Sequence, residues 1–247
     1  MDAGQRIQLQ PCWVLHRRDF RDSSQIIEVL SREHGRLGLV ARGIKRPKSR
    51  LRGILQPFAP LLLSWVAGRE LATMSGAEPG QGAPHHLRDT RLMSGFYINE
   101  LILRLTHRFD PQPDVFDRYA HCLQRLSGDD PVAATLRDFE LDLLDALGFA
   151  PNLTNDVVSG APVEAGRAYD FVVDEGPHAT QTGAGVEAVD GAVLLAMAAR
   201  DWREPEVLRT ARRLLGRAID LQLDGKPLHT RRVLRDLRQR DYGTGAQ

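Results

Sequence analysis

Along the first 80 residues, apolar and polar positions form short runs broken by turn-forming residues. Gln8–Val14 alternates loosely and ends in a polar cluster from His16 to Ser23. Gln25–Leu30 is β-branched and reads as a strand, His34-Gly35 as a turn, and Leu37–Val40 as the returning partner. Leu55–Val66 is apolar but carries Pro57 and Pro60, which favour an edge or bent strand over a helix. Gly68 turns the chain and Leu71–Met74 completes the series. Short strands packed this closely predict a small barrel or sandwich over residues 1–80. Periodicity alone leaves OB-type and SH3-type barrels both open.

Glu78–Pro84 is rich in Gly and Pro, has no pattern, and reads as a linker. Beyond it the period becomes helical, and residues 81–247 are expected to form an α-helical domain. Leu92–Leu105 is apolar almost all round, as in a buried central helix, and ends before the Pro-rich stretch at 110–113. Val115, Tyr119, Cys122 and Leu126 recur at helical spacing. So do Leu136, Phe139, Leu143 and Leu147, behind the Asp130-Pro131 start signal and before the Gly148 stop. Residues 150–189 are dense in Gly, Pro, Asn and Asp and read as a mostly irregular insertion with one strand-like piece at Tyr169–Val173. Helical pattern returns at Val193–Ala199, again behind Glu204-Pro205, and in a last short basic helix carrying Val233, Leu234 and Leu237. The expected class is α+β and multidomain, a barrel followed by helices.

Composition adds two constraints. The net charge of +1 conceals an uneven distribution. Residues 1–82 carry 13 Lys/Arg against 7 Asp/Glu, and residues 83–247 carry 20 against 25. A basic front end suggests a polyanionic partner, nucleic acid or a membrane surface. Cys12 and Cys122 are the only cysteines, so a disulfide framework is not expected and a reducing cytoplasm is the default compartment. No run reaches the roughly 20 apolar residues that span a bilayer.

Catalytic signatures are missing. Gly-x-Ser-x-Gly and Gly-x-Gly-x-x-Gly do not occur in a suitable context, and Gly225-Lys226 lacks the glycine spacing of a phosphate loop. His85-His86 reads as linker surface. The carboxylates at 138, 140, 142 and 145 read as the solvated face of an amphipathic helix. The chain is therefore expected to be a non-enzyme with no metal, no cofactor and no small-molecule substrate.

One segment does carry chemistry. Between Arg42 and Gly53 lie Arg42, Lys45, Arg46, Lys48, Arg50 and Arg52, with no acidic residue among them. Gly43, Pro47 and Gly53 make it a loop between barrel strands, where single-strand binders place a cationic groove. Arginine meets phosphate bidentately and stacks on bases, and Ser49 adds a hydroxyl. Arg17 and Arg36 belong to the same small domain and complete the candidate DNA-binding set, with Arg18, Arg21 and Arg32 as flanking cations. A solubilising loop has the same composition. A second cluster, Arg231, Arg232, Arg235 and Arg238, extends a DNA path, meets an acidic protein tail, or simply complements a helix C-terminal half.

Several strings together resemble a known family. They are Val14-Leu15-His16-Arg17-Arg18, Asp22-Ser23-Ser24, Glu33-His34-Gly35-Arg36, Ala41-Arg42-Gly43 and Ser49-Arg50-Leu51-Arg52-Gly53-Ile54-Leu55-Gln56-Pro57-Phe58, then Ser94–Leu101 and Phe139–Phe149 in order. They resemble the RecO family of bacterial DNA repair and recombination mediators, well over about residues 8–153 and weakly beyond. The resemblance implies an OB-fold front domain and a helical body. It implies binding of single- and double-stranded DNA and annealing of complementary strands. It further implies action with RecR and the C-terminal tail of single-strand-binding protein to help load RecA, in a nucleoid-associated cytoplasmic setting. An adaptor whose basic loops bind acidic protein tails is the alternative. Many members of that family hold zinc in the insertion with four cysteines opening on Cys-x-x-Cys-Gly. The corresponding string here is Asp156-Val157-Val158-Ser159-Gly160, so the thiolate site is expected to be absent.

Overall fold

The computed structural model describes residues 4–179, 188–223 and 225–233. The chain divides into two compact units, one of residues 1–129 with 228–247 and one of residues 130–227.

The first unit is built on β1 (Arg6–Phe20), β2 (Ser24–Ser31), β3 (Gly35–Ala41), a one-turn helix α1 (Leu51–Ile54), β4 (Leu61–Val66) and β5 (Ala72–Pro79). The strands close a barrel in the order β1-β2-β3-β5-β4, with β3 and β5 parallel and the other pairs antiparallel. This is the OB arrangement, which settles the choice that periodicity left open. β1 is longer than its hydrophobic pattern suggests, because it runs on through the polar cluster that follows. It pairs with β4 up to Cys12 and with β2 from Cys12 to Phe20, so one strand serves both sides of the closure. The inward side chains, among them Val14, Ile27, Val29, Leu37, Leu39, Leu63 and Trp65, form the barrel core. The apolar stretch beginning at Leu55 does not form a strand until Leu61; Leu51–Ile54 is a helical turn and the prolines lie in the connection. β5 continues to Pro79, into the stretch read as linker.

Two helices follow, α2 (Asp89–Leu105) and α3 (Pro113–Ser127). α2 approaches the barrel closely at Gly95. A Cβ there would come within 2.7 Å of the Leu87 side chain and 2.8 Å of the Phe58 ring, so a larger residue would have to displace both. A bulge in β1 falls between Val14 and His16 and leaves Leu15 without a register partner on β2. Asn99 of α2 donates to the Leu15 carbonyl (2.9 Å) and accepts from the Tyr119 hydroxyl of α3 (2.6 Å), all of them buried. One side chain thus satisfies an orphaned strand carbonyl and ties two helices to it.

The chain re-enters this unit at Leu228, which is buried. Glu100 of α2 accepts from the backbone N–H groups of His229 and Thr230 (both 2.8 Å) and from the Thr230 hydroxyl. It caps the helical turn over 229–233, and these bonds hold its carboxyl below the usual range against the opposing effect of burial.

The second unit contains α4 (Val132–Ala146), β6 (Ala168–Val172), β7 (Gly176–Ala179), β8 (Ala188–Asp190), α5 (Gly191–Ala198) and α6 (Pro205–Gln222). The insertion is more ordered than its composition suggests, because β7, β6 and β8 form an antiparallel sheet around the buried Tyr169 and Phe171. Asp190 caps α5 through the Ala192 N–H. Of the acidic residues of α4 expected to form a solvated face, Asp145 is exposed, but Asp138, Glu140 and Asp142 are engaged inside the fold. Glu140 is buried and pairs with Arg137, Asp142 is buried and pairs with Arg200, and Asp138 accepts from the Trp202 indole at 2.8 Å. Glu140 is compensated within the helix by Arg137 at i,i+3, whereas Asp138 and Asp142 meet Arg200 and Trp202 from far along the chain, a pairing that one helix's periodicity cannot reveal.

Replacing Asn99 with Leu strands both the Leu15 carbonyl and the Tyr119 hydroxyl. It is expected to cost about 2 kcal/mol or more in chemical denaturation, with Tyr119→Phe costing about 1 kcal/mol. Equal stability of Asn99→Leu and wild type would show that the network does not join barrel and helices.

Candidate nucleic-acid interface

The basic segment leaves β3 at Ala41 and crosses to α1 as a series of turns. Gly43 has a positive φ of 71°, which lets the chain reverse after Arg42. The Lys45 N–H donates to the Ser23 carbonyl (3.1 Å) and the Lys45 ammonium contacts Asp19 (3.0 Å), so the segment is pinned beside the β1–β2 turn. Asp19 accepts from Gln25 as well, and together Gln25 and Lys45 hold its carboxyl below the usual range. The anchoring gathers Arg18 and Arg21, both exposed, with the basic segment at one end of the barrel. Phe20 lies in the same turn with the Arg21 guanidinium 5.1 Å from its ring centre.

The predicted cations separate into two groups. Arg42, Arg46, Lys48, Arg50 and Arg52 are exposed, and no ion pair involves them among the described residues. Arg52 also donates to the Lys45 carbonyl (3.2 Å), which braces the segment. Ser49 is half-buried, and its backbone N–H closes a turn on the Arg46 carbonyl. Lys45 is partly occupied by Asp19. These residues share one rim.

Arg17 and Arg36 do not join it freely. The Arg17 guanidinium donates to the Leu55 carbonyl at the end of α1 (2.9 Å), and partial burial lowers its pKa. Its contact braces α1 and hence the rim. Arg36 donates to the Thr106 carbonyl (2.8 Å) and contacts Glu28 (3.4 Å), a buried carboxylate that also pairs with Arg108. Burial lowers the Arg36 pKa and Glu28 opposes that. Arg36 is an internal ion-pair member, which its place in a basic string does not disclose.

The second cluster is likewise constrained where it is described. Arg231 lies over the Tyr97 ring (5.8 Å) and Arg232 contacts His229 (3.3 Å). Arg235 and Arg238 lie outside the described residues. Of the possible stacking residues, Trp13, Trp65 and Phe58 are core, leaving Phe20 partly open. His85 is not linker surface as expected. Its ring is half-buried 5.9 Å from Trp13, and Nδ1 meets the Ser127 hydroxyl at 3.0 Å.

In the insertion, the Asp156 carboxylate gathers one turn. It accepts from the Ser159 hydroxyl, from the Val158 and Ser159 N–H groups and from the Ala179 N–H (3.0 Å). A carboxylate accepting four donors organises a tight turn without any metal bond, and these donors, Ser159 foremost, hold its pKa at about 2. Among the described residues no group of three or more His, Cys, Asp or Glu is arranged to hold a metal ion. Nor is any helix among them long and apolar enough to cross a membrane.

An OB barrel with exposed cations on one anchored segment, followed in the chain by helices, places the protein in a fold class that includes many oligonucleotide binders. Family models described as Recombination protein O N terminal and Recombination protein O C terminal match residues 7–82 and 89–232. The chain is 42% identical over 241 residues to the DNA repair protein RecO of Azoarcus sp. (strain BH72), covering 96% of this chain and 99% of that one. It is 41% identical over 240 residues to the DNA repair protein RecO of Aromatoleum aromaticum, covering 97% and 100%. Against the DNA repair protein RecO of Alkalilimnicola ehrlichii it is 43% identical over 239 residues, covering 95% and 94%. The chain belongs to the RecO family.

Two outcomes test these assignments. Arg36→Ala leaves Glu28 half-compensated and is expected to cost about 2 kcal/mol of stability. Arg46→Ala and Lys48→Ala should each stay within about 0.5 kcal/mol of wild type in the same denaturation series. The second concerns pH. The Asp156 carboxyl is held below its unfolded value, so its contribution is complete above about pH 4 and is lost as pH falls toward 2. Protection factors against hydrogen exchange at residues 157–160, taken relative to the intrinsic rate at each pH, should fall over that window in the wild type, and Asp156→Ala should show low protection at both ends of it.

Proposed function

We propose that this chain is a DNA repair mediator that acts by binding. The basic rim holds single- and double-stranded DNA and brings complementary strands together, and no bond is made or broken by its side chains. Exposure of Arg42, Arg46, Lys48, Arg50 and Arg52 on one anchored segment without carboxylate partners carries this reading. Each phosphate met there displaces a condensed counterion, which favours binding. Two strands held at the rim repel each other less, because the cations sit within a Debye length of both backbones. Arg18 and Arg21 extend the rim, Lys45 exchanges Asp19 for phosphate, and Ser49 offers a hydroxyl. Arg17 acts indirectly, by holding α1.

Family membership supports the remaining parts of the reading. The chain works with RecR and with the C-terminal tail of single-strand-binding protein, helping to load RecA at gaps in the cytoplasmic nucleoid. Arg231 and Arg232, with Arg235 and Arg238, offer a second contact for DNA or a partner. The names of the relatives describe DNA repair, consistent with this role.

The test is a salt series with a labelled single strand, comparing wild type with a variant carrying Ala at 46, 48, 50 and 52. Loss of about four phosphate contacts should flatten the log–log slope by roughly 3 units, with annealing falling in parallel. An unchanged slope and affinity would remove the rim from the DNA path.

A further inference from the structure

Immediately behind the basic rim lies a cleft of about 480 Å3 that the rim's electrostatics do not explain. Pro57, Phe58 and Pro60 form one wall, and Pro79, Pro84 and His85 face them from the linker. Two backbone bonds, Gly80 N–H to the Pro60 carbonyl (2.8 Å) and His85 N–H to the Phe58 carbonyl (2.9 Å), clamp the linker across this wall. The cleft is therefore preformed. Phe58 adopts a φ of 62°, strained for a non-glycine residue, and its buried ring packs 5.2 Å from Phe96.

The lining contains no lysine, arginine or carboxylate. Burial lowers the His85 pKa below the ordinary imidazole value, so near neutral pH that ring adds no charge. Flat proline faces and the half-buried His85 imidazole suit a neutral planar group and are poor partners for a phosphate, while the Phe58 ring is buried against Phe96 and is not itself a stacking face. Gln56, exposed on the lining, gives its amide N–H to the Arg52 carbonyl and leaves its Oε1 as an acceptor for a polar edge. Gly53 and Ile54 also line the cleft, and Arg50 and Arg52 adjoin them in the chain. A strand whose phosphates meet those arginines carries its bases within reach of this opening.

We propose that the cleft between the α1–β4 connection and the linker is a nucleobase site, receiving one unstacked base from the strand held at the basic rim. This rests on the DNA-binding reading above. Seating a base there keeps the strand single and its neighbours splayed, which favours a search for complementary pairing over refolding on itself. The site reads a π-face and a generic polar edge, so it tolerates all four bases.

Gly53 provides a variant that spares the fold. A Cβ added at Gly53 meets nothing within 4 Å, so Gly53→Leu puts a side chain at the cleft and leaves every arginine in place. Binding is measured across a salt series with a DNA strand and with a strand of equal length and phosphate count made of abasic residues. Wild type is expected to bind the base-bearing strand about tenfold more tightly. Gly53→Leu should bind both equally, with unchanged salt slope and unchanged melting temperature. Equal wild-type affinity for both strands with a full salt slope overturns the base site alone and leaves the cleft to a peptide partner. Retention of the base preference by Gly53→Leu overturns it as well. A flat salt slope on the abasic strand instead overturns the phosphate-binding rim, and the proposal built on it.

Discussion

The carbonyl of Leu15 sits in a β-bulge where the strand ladder cannot satisfy it. Asn99 meets it from α2, and Tyr119 meets Asn99 from α3. A buried amide with both its ends committed has little freedom, so strand and helices are fixed in one arrangement. Trp13, two residues before Leu15, packs against Tyr119, Phe116 and His85 around the same point. The linker is thereby held near β1, and the cleft behind the rim depends on that placement. A functional surface built on turns is kept in shape by a hydrogen-bond chain some way beneath it.

The basic front end is not a uniform cloud of charge. Glu28 draws Arg36 and Arg108 inward, and the Leu55 carbonyl draws Arg17. What remains outside is a short stretch of turn whose cations, Lys45 apart, have no carboxylate partner among the described residues. Inward cations are costly to remove because a buried carboxylate or carbonyl would be left unmet. Outward ones are cheap to remove and available to an external polyanion. Stability and binding are thus carried by different arginines of the same barrel.

The insertion solves a small-domain problem by a different route. Its turn at 156–160 is organised by a carboxylate accepting several donors, and its strands close over Tyr169 and Phe171. A thiolate–metal centre would draw the same segments together through coordination bonds. Here hydrogen bonds to one charged group do so, and they bring a dependence on acid that a fully apolar knot would not have.

Legible in the chain were the strand-rich front, most helices of the remainder and the location of the cationic run, but not α1 or the sheet of the insertion. The legible features are local properties, fixed by side-chain period, by proline and glycine positions and by charge density. The strings around Arg17, Arg36 and Ser49–Phe58 also carried the family. Tertiary structure alone decided which cations face inward, because Arg36 meets Glu28 only through the β2–β3 register and Thr106 only through the end of α2. It alone ordered the insertion into a sheet, set Asp138 and Asp142 of α4 against Arg200 and Trp202, and turned a featureless linker into the wall of a cleft. Each of these depends on partners far apart in the chain, and charge compensation between such partners leaves no local pattern to read.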